Sequence, residues 1–457
     1  MHSSHPAGLT TWQLVMLALG TVVGGSFFLG TEMILRNAGT GTLVAFAFGG
    51  LVTYLILMAL SELTVSRPAY GSFRAYAEDA FGPMASFVVG WLYWAGLVLA
   101  LSSEGIAAAM FARVWLPGVP IWAIAGTVIV GVTLLNLLDV RSFAVIESVT
   151  AVIKLAAIAA FILLGLGLIA GLVRGAAPSG PPAFAGRPFL PTGTAGLAGS
   201  MLLVLFSYAG FEVLGFAAPE ARDPQRTVPR AILLTVFGLI TLYVGAVAVV
   251  LYLLPAGRLE HEVSPMVALL RYAGFPGLAA GLNLIVMTAA LSTMLAAMYG
   301  LSRMLYSLAS EGQAPAFLKR LVPPGVPRNA ILFSGGGMMV GVVLAYVLPR
   351  AVYLFLVSSA GFALLFSYLV ILASQFVIRR REGCTPGECA VPFFPWSTGL
   401  GLVLVLGAIA GMPFVPGQGA GLLAGIGMLA AIALAYFIVR RPEPVEPEES
   451  EDRIPLA

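Results

Sequence analysis

The sequence predicts an all-α polytopic membrane protein with about twelve transmembrane helices. Three observations lead there. Of 457 residues, 59% are hydrophobic and only 10% are charged, where soluble domains carry about a quarter charged residues. The mean hydropathy is +0.97. Apolar runs of ~20 residues, the length a helix needs to cross the hydrocarbon, recur along the whole chain. The alternating ~10-residue strands of a membrane barrel are not seen in it.

The apolar spans fall near 12–36, 42–66, 84–112, 121–139, 143–173, 195–220, 228–254, 275–309, 329–349, 351–378, 395–412 and 419–439. The opening "MHSSHPAGLTTW" lacks a charged n-region and a cleavage site, so no signal peptide is expected. An even number of spans puts both termini on one side. With that side inner, roughly sixteen Lys and Arg residues lie in inner segments and seven in outer ones, so both termini are expected in the cytoplasm. The tail "RRPEPVEPEESEDRIPLA" is rich in Pro and Glu and is expected to be disordered. Cys384 and Cys389 lie in a loop beside Arg379, Arg380 and Arg381. They read as two reduced loop thiols, since no further ligand is near to complete a metal site. His2, His5 and His261 form no metal pattern, and no phosphate loop, nucleophile elbow or nucleotide fingerprint occurs. An enzyme, a resident metal or cofactor and a nucleic-acid partner are therefore not expected.

Two spans depart from the pattern. Span one contains "GTVVGGSFFLG", with four glycines and a serine in residues 20–30. Span six reads "MLLVLFSYAGFEVLGFAAPEARDP", with Glu212 between Gly210 and Gly215. Glycines at one span could serve close helix packing alone. Interruptions at corresponding positions, five spans apart, instead point to the binding site of a transporter built from two units of opposite orientation. A helix broken in lipid leaves peptide groups unpaired at a cost of several kcal/mol each. They are tolerated where they face a cavity or a ligand. Amide N–H groups around Gly24, Gly25 and Ser26, at the start of a half-helix, suit a carboxylate. Carbonyls around Phe206, Ser207 and Ala209 suit an ammonium group. Together they match a zwitterion, an α-amino acid above all.

Longer motifs add to this. "LALGTVVGGSFFLG", "PAYGSFRAYAEDAFGPMASFVVGWLYW", "VIKLAAIAAFILLG", "FSYAGFEVLGFAAPEARDPQRTVPRAI" and "SRMLYSLASEGQAPAFLKRL" occur in that order. They resemble the amino acid permeases of the amino acid–polyamine–organocation superfamily, specifically the bacterial amino acid–proton symporters. The resemblance covers nearly the whole chain. It implies a 5+5 inverted repeat with broken helices 1 and 6, plus two peripheral helices, in the bacterial inner membrane. The repeats would be 1–194 and 195–385, the peripheral helices 386–440 and the tail 441–457. It implies amino acid uptake driven by the proton gradient. The substrate site would be Val23, Gly24, Gly25 and Ser26 with Phe206, Ser207, Tyr208, Ala209 and Gly210. Two departures stand out. Ser26 replaces the second glycine of the usual Gly-x-Gly, and Leu295–Ala297 replaces a usual Asn-Ser-Gly stretch in span eight. The second makes the pocket wall more apolar.

Ionisable residues within spans are functional candidates by default. Lys154 lies mid-span in "VTAVIKLAAIAA". The resemblance implies that its ammonium stands where related transporters hold a sodium ion, on carbonyls around Gly20 and Val23 and the hydroxyls of Ser292 and Thr293. Glu104 reads as a proton relay, a partner for a substrate ammonium, or a carboxyl bonded between helices. Glu212 reads as a gating residue that holds the unwound backbone, with Tyr208 and Phe206 as covers. Glu220 would pair with Arg222 or Arg226, and Asp139 and Glu147 would be hydrated or paired near span ends. Trp91, Tyr93 and Trp94 read as packing residues or interface anchors. The leading expectation is a proton-coupled symporter of a neutral amino acid. An exchanger without proton coupling and an amino-acid sensor are the alternatives. The sequence sets no oligomeric state.

Overall fold

In the computed structural model, residues 8–66, 73–137, 140–173, 188–218, 221–255, 264–322, 326–348, 351–383 and 391–438 are described. Cys384, Cys389, Asp139, Glu220, the three histidines and the tail lie outside them, as does the side chain of Glu147.

A helix meets each of the twelve apolar stretches. Span one is two helices, α1 (Thr11–Val22) and α2 (Gly25–Ala38). Spans two to five are α3 (Thr42–Ser66), α5 (Pro83–Ala112), α6 (Ile121–Leu135) and α7 (Val140–Ile169), with the short α4 (Phe73–Phe81) between the first two. Span six is α8 (Gly193–Tyr208) and α9 (Val213–Ala217). Span seven is α10 (Pro224–Leu253), and α11 (Pro265–Tyr272) precedes span eight, α12 (Pro276–Ser310). The rest are α13 (Arg328–Val347), α14 (Val352–Glu382), α15 (Trp396–Gly411) and α16 (Gln418–Ile438).

Local chemistry marks the starts. Thr10 caps α1 in a capping box with Gln13: its hydroxyl accepts from the Gln13 amide at 3.4 Å, and the Gln13 side chain accepts from the Thr10 amide at 2.9 Å. Pro83, Pro224, Pro265 and Pro276 begin α5, α10, α11 and α12, where a missing N–H costs nothing. The helices α4 and α11 are too short to be spans; α4 buries one face, whereas α11 is buried all round over residues 265–270.

The long α5 is the axis of the bundle, packed against α2, α4, α6, α12, α13, α14 and α16. The half-helices α1 and α2 lie against α7, α8, α10 and α5. Among the described spans the last is outermost: 72% of the apolar stretch of α14 is buried, against 11% of that of α16. A helix this exposed and this apolar belongs in lipid.

One end of the bundle is tied by charge. Arg74 on α4, with a side chain 1% exposed, bonds to Ser86 at 2.7 Å, to Ser307 at 3.3 Å and to Glu311 at the end of α12. Arg381 at the end of α14 bonds the Asp79 carboxylate at 2.7 Å. Deeper lies Glu62 of α3, which accepts from Gln375 at 2.6 Å, Arg379 at 2.8 Å and the Val391 amide at 2.9 Å. This carboxylate therefore fastens α3, α14 and the approach to α15 together. Its loss strands a mostly buried guanidinium, an amide and an N–H group. Glu62→Ala is expected to cost about 3 kcal/mol, read as a lower melting midpoint in detergent; an unchanged melt contradicts the clamp.

Candidate functional site

Both predicted interruptions are present and they touch. Between α1 and α2, Val23 (φ −76°, ψ 93°) and Gly24 (φ −118°, ψ −169°) are extended. Between α8 and α9, residues 209–212 form a turn around Gly210 at φ +102°. A Cβ on Gly210 would stand 3.1 Å from the Thr21 carbonyl oxygen and 3.5 Å from Val22 Cα. Glycine is thus required twice there, for its dihedral and because the two broken backbones meet at that atom.

The freed groups of span one have specific partners. The Gly25 and Ser26 amides donate to the two oxygens of Glu104 on α5, at 2.8 and 3.0 Å. This is a carboxylate seated on a helix N-terminus, where two bare N–H groups and the helix dipole favour an anion. A Cβ at Gly25 would lie 2.9 Å from Glu104 Oε2, so the absence of a side chain permits the approach. Glu104 is 4% exposed and Ser26 7%.

On the other side of the break, the Lys154 ammonium donates to the Gly20 carbonyl and, at 3.3 Å, to the Ser292 hydroxyl. Thr150 donates to Ser292 at 2.9 Å. Thr293 donates to the Val23 carbonyl at 3.4 Å. Gly20, Val23, Ser292 and Thr293 therefore all gather at this corner, with Gly20 and Ser292 on the lysine and Thr293 on the backbone of the break.

At span six, Glu212 is 2% exposed. It accepts from the Gly210 amide at 3.0 Å, from Tyr93 at 3.0 Å and from Tyr368 at 3.3 Å. Its carboxylate holds the turn and ties it to α5 and α14. Tyr93 is accordingly a buried hydrogen-bond donor and not an interface anchor. Trp91 and Trp94 each bond across helices, to the Gln313 carbonyl and the Ser334 hydroxyl. The Phe206 carbonyl accepts from the Ala209 amide at 3.1 Å and the Ser207 carbonyl from Tyr243 at 3.0 Å. Each carbonyl keeps a second lone pair. Tyr208 is fully buried and donates to the Phe46 carbonyl at 2.8 Å. It packs with Phe46 and Tyr243, and Tyr243 stacks on Phe27 with centroids 3.9 Å apart.

Sequence reasoning missed Tyr93, Tyr368, Tyr243 and Phe27. All are aromatic residues in aromatic-rich spans, and only Phe27, beside Gly25 and Ser26, had a local signal.

These features define the class: a helical membrane protein whose two interrupted spans meet at a buried, hydrogen-bonded polar centre, as in solute transporters. The sequence profile described as amino acid permease matches residues 13–441. The chain belongs to the amino acid permease family. It is 34% identical over 441 residues to the gamma-aminobutyric acid permease of Bacillus subtilis (strain 168), spanning 96% of this chain and 94% of that one. It is 34% identical over 437 residues to the amino-acid permease RocC of the same organism, spanning 93% and 92%. It is 32% identical over 413 residues to the aromatic amino acid transport protein AroP of Salmonella typhimurium (strain SL1344), spanning 90% of each. The protein is a transporter and not an enzyme.

Gly210→Ala should leave the helices formed but strain the meeting point of the breaks, by about 1–3 kcal/mol for the dihedral alone. Purified variant protein is expected to melt lower and to lose substrate binding. A variant that binds amino acid as the parent does would refute the close contact of the two breaks.

Proposed function

We propose that the protein imports a neutral amino acid together with protons, by alternating access, across the bacterial inner membrane with both termini in the cytoplasm. One observation carries the reading. Two broken spans meet at a buried centre that joins a carboxylate seat, on the Gly25 and Ser26 amides, to an ammonium seat on the backbone of the same break. In this reading the substrate carboxylate sits at the break of span one. Its ammonium group lies on carbonyls of both breaks, with the open lone pairs of Phe206 and Ser207 among them. Its side chain faces α5, α8, α12 and α14. The two five-helix units, 1–194 and 195–385, rock around that point, with Glu212 and Tyr208 as gating residues.

The buried acids near the breaks are both engaged, Glu104 by the Gly25 and Ser26 amides and Glu212 by Tyr93, Tyr368 and the Gly210 amide. Glu212 keeps its three donors whatever is seated at span one and is not free to balance a second positive charge, which favours neutral over cationic substrates. The relatives named for gamma-aminobutyric acid and aromatic amino acids make both classes worth testing. Lys154 supports proton coupling. It is a buried cation on the backbone of the broken helix, so losing its proton weakens its grip on the Gly20 carbonyl and changes the state of the break.

The first experiment is a thermal-shift panel of the twenty amino acids and γ-aminobutyrate on detergent-purified protein, because a ligand of the folded state raises its stability. Uptake of the best hits into proteoliposomes, with and without an inward proton gradient, then separates symport from exchange. Lys154→Ala is expected to abolish accumulation driven by the gradient. Accumulation at the parental level in that variant would remove Lys154 from the coupling.

A further inference from the structure

An amide N–H has a single hydrogen, so a donor in use is unavailable. The Gly25 and Ser26 amides, which the proposed function gives to the substrate carboxylate, are both in use by Glu104. We propose that Glu104 is an internal stand-in for the substrate carboxylate: the empty carrier binds its own glutamate, and loading exchanges one carboxylate for the other with uptake of one proton by Glu104. The inference rests on the reading of the protein as an amino acid transporter.

The geometry favours exchange over sharing. Glu104 places one oxygen on each amide, the two-point arrangement an α-carboxylate would also use. The seat is too small for both: a Cβ at Gly25 would already lie 2.9 Å from Glu104 Oε2 and 3.3 Å from the Cβ atoms of Ala107 and Ala290. Two carboxylates in one buried seat also repel, and a proton on one relieves the repulsion.

The charge at the seat is unchanged. Before loading, one carboxylate faces the helix N-terminus. After loading, one carboxylate still does, and Glu104 has gained a proton from solution and become a neutral acid. The zwitterionic substrate adds no net charge, so the site as a whole gains one positive charge, that of the proton taken up. The polar neighbour for the released acid is Thr293, whose hydroxyl lies beside Gly24 as Glu104 does. The titratable groups facing Glu104 are Lys154 on α7, Tyr243 on α10 and Tyr353 on α14. Only Lys154 among them is a cation, so it is the group that must be held constant in the test.

This arrangement ties substrate to proton at the binding step. Substrate without a proton finds the seat taken. A proton without substrate removes the anion that satisfies two buried amides, which is unfavourable.

The test measures L-alanine, L-leucine and L-phenylalanine binding to detergent-purified protein between pH 5.5 and 8, with proton uptake followed by calorimetry in buffers of different ionisation enthalpy. For the wild type we expect about one proton taken up per amino acid bound, and a dissociation constant rising about tenfold per pH unit at the alkaline end. Glu104→Gln carries no proton to exchange. It should bind at least as tightly at pH 8, with little pH dependence and proton uptake near zero, while Lys154 is unchanged. A folded Glu104→Gln protein that binds nothing, or that still takes up a full proton, overturns the proposal. Wild-type binding without proton uptake also overturns it, and this arm decides if the variant does not fold. A wild type that binds no amino acid at all in the full panel of twenty instead overturns the transporter reading, and the proposal falls with it.

Discussion

A helix that stops halfway through a bilayer exposes amide hydrogens that lipid cannot bind. Each unsatisfied group costs several kcal/mol, so something polar must be brought to it. In this protein that something is carboxylate. Glu104 reaches from α5 to the start of α2, and Glu212 folds back on the turn between α8 and α9. Both are buried. The rest of the inner bundle is arranged so that these two acids can be there, with Lys154 set against the facing end of the first break.

The two repairs are coupled through one helix. Tyr93 and Glu104 both lie on α5, eleven residues apart in sequence, or roughly 16 Å along a helix at 1.5 Å per residue. Through Tyr93, α5 thus addresses the break of span six at Glu212, and through Glu104 it addresses the break of span one directly. Since the breaks also touch at Gly210, a change at either must be felt by the other. A transporter needs such a connection, because one state of the site has to be visible to both sides of the bundle.

Much of this was legible from residues alone. The spans follow from apolar length. The breaks followed from glycines and a carboxylate inside apolar runs, and the positions expected at the site, from Val23 to Ser26 and from Phe206 to Gly210, lie in or directly beside those breaks. Lone charges such as Lys154 and Glu104 stand out in lipid for the same energetic reason. What they bond to does not. Glu104 and Gly25 are 79 residues apart in sequence, and nothing local in "LSSEGIAAAM" says that its target is backbone. Tyr93 and Tyr368 were hidden by their own abundance as a residue type. Glu62 was hidden by lying towards the end of a span, where a charge is unsurprising, although the structure buries it among three donors.

The central claim is that the first two amides of α2 are a carboxylate seat occupied in turn by Glu104 and by substrate. Determining the structure with an amino acid bound tests it most directly. The account predicts the ligand's carboxylate within hydrogen-bonding distance of the Gly25 and Ser26 nitrogens, with Glu104 turned away from both. An amino acid bound in the protein while Glu104 keeps both amides would contradict it.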